Sequence, residues 1–216
     1  IHQFLLLLRE HIAYLYDLII NHLDAYHHCK TSYFQNALVV NQSELQNFWQ
    51  HFLHDVDRLA FVCDDGEMFG EEYTLVACAD YVLSKTPGNT VSNMSSSRAL
   101  RDVTEAHGQK YEASAVGEVN VVDLMKKNNA IIGGEGNGGI IYPESHYGRD
   151  ALVGVALFLS LLAEKKISVS ELRASYPSYF MSKKKIQLTP ELDVDAILVA
   201  MKNRYSHENI TTIDGV

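Results

Sequence analysis

Hydrophobic and polar positions follow two different regimes along this chain, and the change falls near residue 53. From Phe4 to Leu23 the apolar residues occupy every side of a helical wheel, so a helix there needs burial all round. Residues 1–52 carry no Gly and no Pro, and read as a largely helical segment unlike the rest. Beyond residue 53, periodic segments and turn signals alternate. Leu59–Cys63 is a short apolar strand, Asp64-Asp-Gly66 a hairpin turn and Glu67–Phe69 its return. Glu71–Leu83 has helical spacing, with Leu75, Ala79 and Val82 on one face and Pro87-Gly88 beyond its end. A β-branched Thr90-Val91 run follows, then a helix from Ser97 to Ala106 closed by Gly108, and another from Val119 to Lys127. Ala130–Ile132 reads as a buried strand running into glycines, and Asp150–Ala163 as the most apolar helix of the second half. Pro177–Leu188 reads as a strand-bearing connection and Asp193–Tyr205 as a last amphipathic helix. This β-α-β-α alternation predicts an α/β fold, a sheet covered by helices.

Composition narrows the function classes. With 216 residues and 47% hydrophobic content the chain can bury a proper core. A formal charge of −9 argues against nucleic acid as a partner, because phosphate backbones are held by clustered Lys and Arg. Lys183-Lys-Lys185 then reads as a solvated face. The apolar run Phe4–Leu8 is broken by Arg9 and Glu10, so neither a membrane span nor a signal peptide is expected. Cys29, Cys63 and Cys78 are odd in number and widely spaced, which fits a reducing cytoplasm. His22, His27, His28 and Cys29 match no standard zinc spacing.

Two segments carry candidate chemistry. Gly133-Gly-Glu-Gly-Asn-Gly-Gly139 lies between two apolar runs, and Gly134–Gly139 is expected to form an exposed loop at the edge of the sheet. Its glycines permit close backbone approach, while Glu135 and Asn137 offer acceptors and an amide suited to neighbouring sugar hydroxyls. It has neither phosphate-loop spacing nor a helix directly after it, and the plainer reading is a tight turn. Asp55-Val-Asp57 places two carboxylates on one loop, where they can hold a hard cation such as Mg²⁺, and Arg58 beside them can pair with a phosphate oxygen. Such acidic pairs are also common in solvated loops. A phosphatase nucleophile motif of the haloacid dehalogenase type does not fit, since Leu59 fills its fifth position and the strand follows the motif.

Asp55-Val-Asp-Arg-Leu-Ala60, Ser95-Ser-Ser-Arg-Ala-Leu100, Val116-Gly-Glu-Val-Asn-Val121, Gly134-Glu-Gly-Asn-Gly-Gly139 and His146-Tyr-Gly-Arg-Asp150 occur in one order and spacing. In this they resemble the α-D-phosphohexomutases, the phosphoglucomutase, phosphomannomutase and phosphoglucosamine mutase family. The resemblance runs from about residue 54 onward and implies a mixed sheet flanked by helices. It divides the chain into an unmatched 1–52, the end of domain 2 with its metal loop at 53–70, domain 3 at 71–175, and a connection with the start of domain 4 at 176–216. It implies intramolecular phosphoryl transfer on a glucose, mannose or glucosamine phosphate, in a chain that is a fragment. Asp55 and Asp57 match the second and third aspartates of the family's Mg²⁺ loop and Arg58 its arginine, which would assist transfer. Leu53 replaces the first aspartate and implies a weakened site. Glu135 and Asn137, with Gly134 and Gly136, match the sugar-binding loop, and His146 and Arg149 are candidates near the substrate. Gly139 stands where many relatives have His, and Ala115 where several have Lys. No phosphoserine-type loop occurs in the 216 residues, so the chain alone is expected to be inactive. The missing domains or a second copy are the implied protein partners. The alternative is a non-catalytic sugar-phosphate-binding or interaction module.

Overall fold

The computed structural model describes residues 57–182, 187 and 192–214. The expectations for residues 1–52, for Leu53 and Asp55, and for Lys183–Lys185 lie outside them.

Helix α1 (Glu71–Lys85) starts after Gly70, which has φ +92°, with Glu71 and Glu72 in the first turn and Lys85 in the last, matching the helix dipole at both ends. It stops at Thr86, extended as the residue before a proline must be. Strand β1 (Asn89–Asn93) follows, then α2 (Ala99–Ala106), β2 (Tyr111–Ser114), α3 (Glu118–Asn128), β3 (Ala130–Glu135), β4 (Gly139–Ile141), α4 (Ala151–Lys165), α5 (Val169–Ala174) and α6 (Val194–Arg204). The sheet order is β2-β1-β3-β4. β1 pairs parallel with β2 and β3, and β3 pairs antiparallel with β4, giving the mixed sheet.

Helices cover both faces. On one side α1, α2 and α4 enclose Leu75, Val76, Leu100, Val103, Phe158 and Leu161, and α1 has ten buried residues because it is walled in on several sides. On the other, α3 lays Val121, Val122 and Met125 against Val91 and Ile141. Helix α3 ends on Asn129 in the left-handed region and α4 on Lys166 in the same conformation. Asp150 caps α4 by accepting the Val153 N–H at 3.0 Å. No described helix is long and apolar enough to cross a membrane.

Some boundaries differ from expectation for visible reasons. The helix expected from Ser97 begins at Ala99, whose N–H donates to the Ser97 hydroxyl at 3.2 Å. The Leu59–Cys63 strand reduces to single bridges, Arg58 to Gly139 and Val62 to Met68. Its hairpin survives as the bonds Cys63 N–H to Glu67 O and Phe69 N–H to Phe61 O. It is held by aromatic packing, with Phe61 stacked on Phe158 at 3.7 Å and Phe69 edge-on to the same ring. Asp64, in the turn, accepts both the N–H and the hydroxyl of Ser170 at the start of α5. Residues 177–182 form no strand, and most of the rest of that expected connection falls outside the described residues. Helix α6 is present but buries no residue among those described.

The exposed loop at 134–139 is corrected. Gly134 and Glu135 belong to β3 and Gly139 opens β4, so the turn is only 136–138. Gly134, Glu135, Gly138 and Gly139 are buried. Lacking side chains, these glycines let Leu59 and Arg149 close over the hairpin: a Cβ on Gly138 would strike the Leu59 backbone, and one on Gly139 the Arg149 side chain.

Candidate functional site

The parallel strands β1 and β3 end side by side, at Asn93 and Glu135. The helix after β1 lies on one face of the sheet and the helix before β3 on the other. Carboxyl ends of adjacent strands whose connections diverge in this way form a crevice in open α/β sheets. The glycine-rich hairpin lies at that end of the sheet, covered by Leu59 and Arg149.

Its carboxylate is tightly held. Glu135 is 7% exposed; Oε1 accepts from Asn93 Nδ2 at 2.8 Å and Oε2 from Arg149 Nη1 at 3.2 Å. The next N–H, of Gly136, donates to the Ser96 hydroxyl at 3.0 Å, and Ser96 donates to Asn93 Oδ1 at 2.9 Å. Glu72 accepts the Ser97 N–H at 2.6 Å, and its other oxygen faces Gly136, where a Cβ would collide with it. Asn137 turns back on the hairpin, its Oδ1 accepting the Gly139 N–H at 3.2 Å.

Arg149 gathers three carboxylates. Its guanidinium meets Asp57 Oδ2, Glu118 Oε2 at 3.1 Å and Glu135 Oε2 at 3.2 Å, with its side chain 19% exposed. The Arg149 N–H also donates to Glu118 Oε1. His146 spans its own loop: Nδ1 accepts the Gly148 N–H at 3.0 Å, so Nε2 carries the proton it shares with Asp150. Burial alone would raise the Asp150 pKa, but the N–H of Val153 and the His146 ring hold it below the ordinary carboxylate range.

Asp57 and Arg58 arrive from the segment that precedes α1. Leu59 N–H donates to Gly138 O at 3.0 Å, and Arg58 bridges Gly139. Arg58 stays 40% exposed beside Asp57. Of the sequence candidates, Asp57, Arg58, Gly134, Glu135, Gly136, Asn137 and Arg149 therefore meet around one hairpin, with His146 on the loop that presents Arg149. Asp55 lies outside the described residues. Among the described residues no group of three or more His, Cys, Asp or Glu is arranged to hold a metal, but Asp57 Oδ1 is buried without a hydrogen-bond partner. That carboxylate oxygen lies 4.0 Å from Arg58 Nε and keeps lone pairs that suit a hard cation. Asn93 and Glu72 were not singled out from the sequence, and Ser96 and Glu118 entered only inside the motifs Ser95–Leu100 and Val116–Val121, with no site role given to either. A cavity of about 230 Å³ lined by Val82, Thr86, Asn129, Ile131, Tyr142 and Tyr147 shares no residue with this site.

The chain thus presents an α/β/α layer with an acceptor-rich glycine hairpin at the carboxyl ends of its strands. Residues 70–179 match the family model for phosphoglucomutase/phosphomannomutase, alpha/beta/alpha domain III, and the chain belongs to that family. It is 30% identical over 167 residues to a phosphoglucosamine/phosphogalactosamine mutase of Sulfurisphaera tokodaii, covering 75% of this chain and 37% of that protein. It is 30% identical over 162 residues to a phosphoglucomutase/phosphomannomutase of Thermococcus kodakarensis, covering 74% and 36%. The chain thus spans little more than a third of these curated relatives. A phosphoglucomutase/phosphomannomutase family protein from Burkholderia thailandensis shares the fold, with TM-score 0.57 and 22% identity over 74% of this chain and 35% of that one.

Proposed function

We propose that the chain is part of a phosphohexomutase, an isomerase that moves a phosphoryl group between the 1- and 6-positions of glucose, mannose or glucosamine phosphate. In this reading residues 53–70 close a second domain and carry the metal loop, 71–175 form the third, and 176–216 lead into a fourth. The observation that carries it is the pairing of the Asp57–Arg58 segment with the glycine hairpin, through Leu59 N–H to Gly138 O, with Arg149 joining Asp57 to Glu135.

The residues divide the work by chemistry. Glu135 and Asn137 orient sugar hydroxyls, and Gly134 and Gly136, whose missing side chains make room for Gly139 and Glu72, hold the hairpin that presents them. Arg149 fixes the Glu135 carboxylate, and His146 holds the loop that presents Arg149. Arg58, the more exposed arginine, is placed to pair with a phosphate oxygen. Asp55 and Asp57 would hold Mg²⁺, which when bound neutralises charge on the transferring group, and Leu53 in the first aspartate position weakens that site. A mutase also needs a nucleophile that keeps the phosphoryl group between half-reactions. These 216 residues contain no phosphoserine-type loop, so the chain by itself binds a hexose phosphate without turning it over.

Titration with glucose 1-phosphate followed by amide NMR tests this. Expected are shifts confined to residues 135–139 and neighbours, at roughly millimolar affinity, about −4 kcal/mol. A coupled assay for glucose 6-phosphate with a 1,6-bisphosphate activator is expected to show no turnover. An unperturbed hairpin, or turnover that disappears with Glu135→Ala, contradicts the reading.

A further inference from the structure

We propose that Asn93 is a positioning residue for Glu135, the residue that fixes which way the hairpin carboxylate faces a sugar. This rests on the reading that Glu135 contacts the sugar. Asn93 ends β1 and is 3% exposed. Its Oδ1 accepts from the Ser95 N–H at 3.1 Å and the Ser96 hydroxyl at 2.9 Å. The backbone N–H of Ser95 can only donate, so the orientation of the amide is fixed and Nδ2 must face Glu135 Oε1, at 2.8 Å. Since Ser96 also takes the Gly136 N–H, Asn93, Glu135, Gly136 and Ser96 close a ring of hydrogen bonds between the end of β1 and the hairpin.

That ring matters because Arg149 alone does not hold Glu135 in one place. Its guanidinium is shared with Asp57 and Glu118, and it draws the carboxylate toward them through Oε2 only. Asn93 pulls on Oε1 from the other strand. With one donor on each oxygen the plane of the carboxylate is set, and each oxygen keeps acceptor capacity for a hydroxyl. An amide is needed there: a carboxylate in its place sets two anions against each other, and a hydroxyl is too short to serve Ser95, Ser96 and Glu135 together.

Two substitutions in the 216-residue chain separate positioning from turn-building, with glucose 1-phosphate as the probe. Asn93→Asp keeps the size and the acceptor used by Ser95 and Ser96, and replaces the donor facing Glu135 with a carboxylate oxygen that repels it. Asn93→Ala removes both. Loss of a hydrogen bond to a charged group predicts about 10-fold weaker binding for Asn93→Asp. Neither substitution should weaken binding further in a Glu135→Ala background, because residues acting through one group are not additive. Wild-type affinity in Asn93→Asp overturns the proposal. The side-chain amide NMR signal of Asn93 gives a readout without ligand: it should move on Glu135→Ala, and an unmoved signal also overturns it. If that signal moves but the wild-type chain takes up no glucose 1-phosphate, the sugar reading of Glu135 fails and the positioning role with it, while the Asn93–Glu135 bond itself is verified.

Discussion

The amide of Leu59 donates to the carbonyl of Gly138 at 3.0 Å, and Gly138 can meet it because φ there is +84° and no Cβ intervenes. A methyl group on Gly138 would collide with the Leu59 carbonyl oxygen. Gly138→Ala should therefore cost about 3 kcal/mol, combining left-handed strain with a backbone clash. Gly66, with φ +89° and nothing near its Cβ position, is the control, and Gly66→Ala should cost about 1 kcal/mol. Urea unfolding of both variants decides this, and equal losses would show that the hairpin yields to Leu59.

Removing the cation at the centre of the site should be felt through its most buried partner. Arg149→Met leaves Asp57, Glu118 and Glu135 facing one another, and Glu135 is the least exposed of the three. Breaking a buried pair in this way predicts a loss of ~3 kcal/mol at neutral pH. Adding Glu118→Gln should restore part of it by removing one of the three charges. Calorimetric melting of the single and double variants is the measurement, and a double variant no more stable than the single one rules out like-charge repulsion as the cause.

Asp80 links α1 to the ends of α2 and α4, accepting from His107 at 2.8 Å, Lys165 at 2.9 Å and the Tyr176 hydroxyl at 2.9 Å. Burial alone would raise its pKa, but these three donors outweigh it and hold the carboxyl below its ordinary value. A depressed folded pKa means stability that is present above the unfolded carboxylate value, about pH 4, and lost as pH falls through the lower folded value. Asp80→Asn should lower stability at pH 7 by about 2 kcal/mol and flatten the acid limb of the stability curve. Parallel curves for the two proteins between about pH 5 and pH 2 would remove Asp80 from the account.

Restoring a third hard oxygen should strengthen the proposed cation site. Leu53→Asp is expected to bind Mg²⁺ several-fold more tightly than the native chain, since affinity follows ligand charge count. Titration calorimetry compares the two, and identical affinities would speak against Asp55 and Asp57 as ligands.

Much of the domain was legible because its punctuation is local. Gly70 and Pro87 bracket α1, Gly117 precedes α3 and Asp150 caps α4, so these helices lie within two or three residues of where the pattern puts them. Leu59–Cys63 was harder, because an apolar run does not say how many partners it will find, and here it finds one bridge on each side. Glu135 and Asn137 stand out beside glycines. The same glycines suggested an exposed loop, whereas in the fold their missing side chains are what allow Leu59 and Arg149 to cover it. Asn93 could not be read at all, and Glu118 only as a member of the Val116–Val121 motif, since each owes its role to a partner distant in sequence: Glu135 for Asn93, Arg149 for Glu118.

The bridge from Arg58 to Gly139 closes a loop of about eighty residues, an entropic cost met only once the segments between are in place. Local helices and the neighbouring β3–β4 hairpin can form early, but this long-range contact comes late in folding. A partly folded chain would hold the glycine turn without Asp57 beside it. A fluorophore pair placed across these two segments would therefore time the last step of folding, and the maturation of the site would report on the completion of the whole domain.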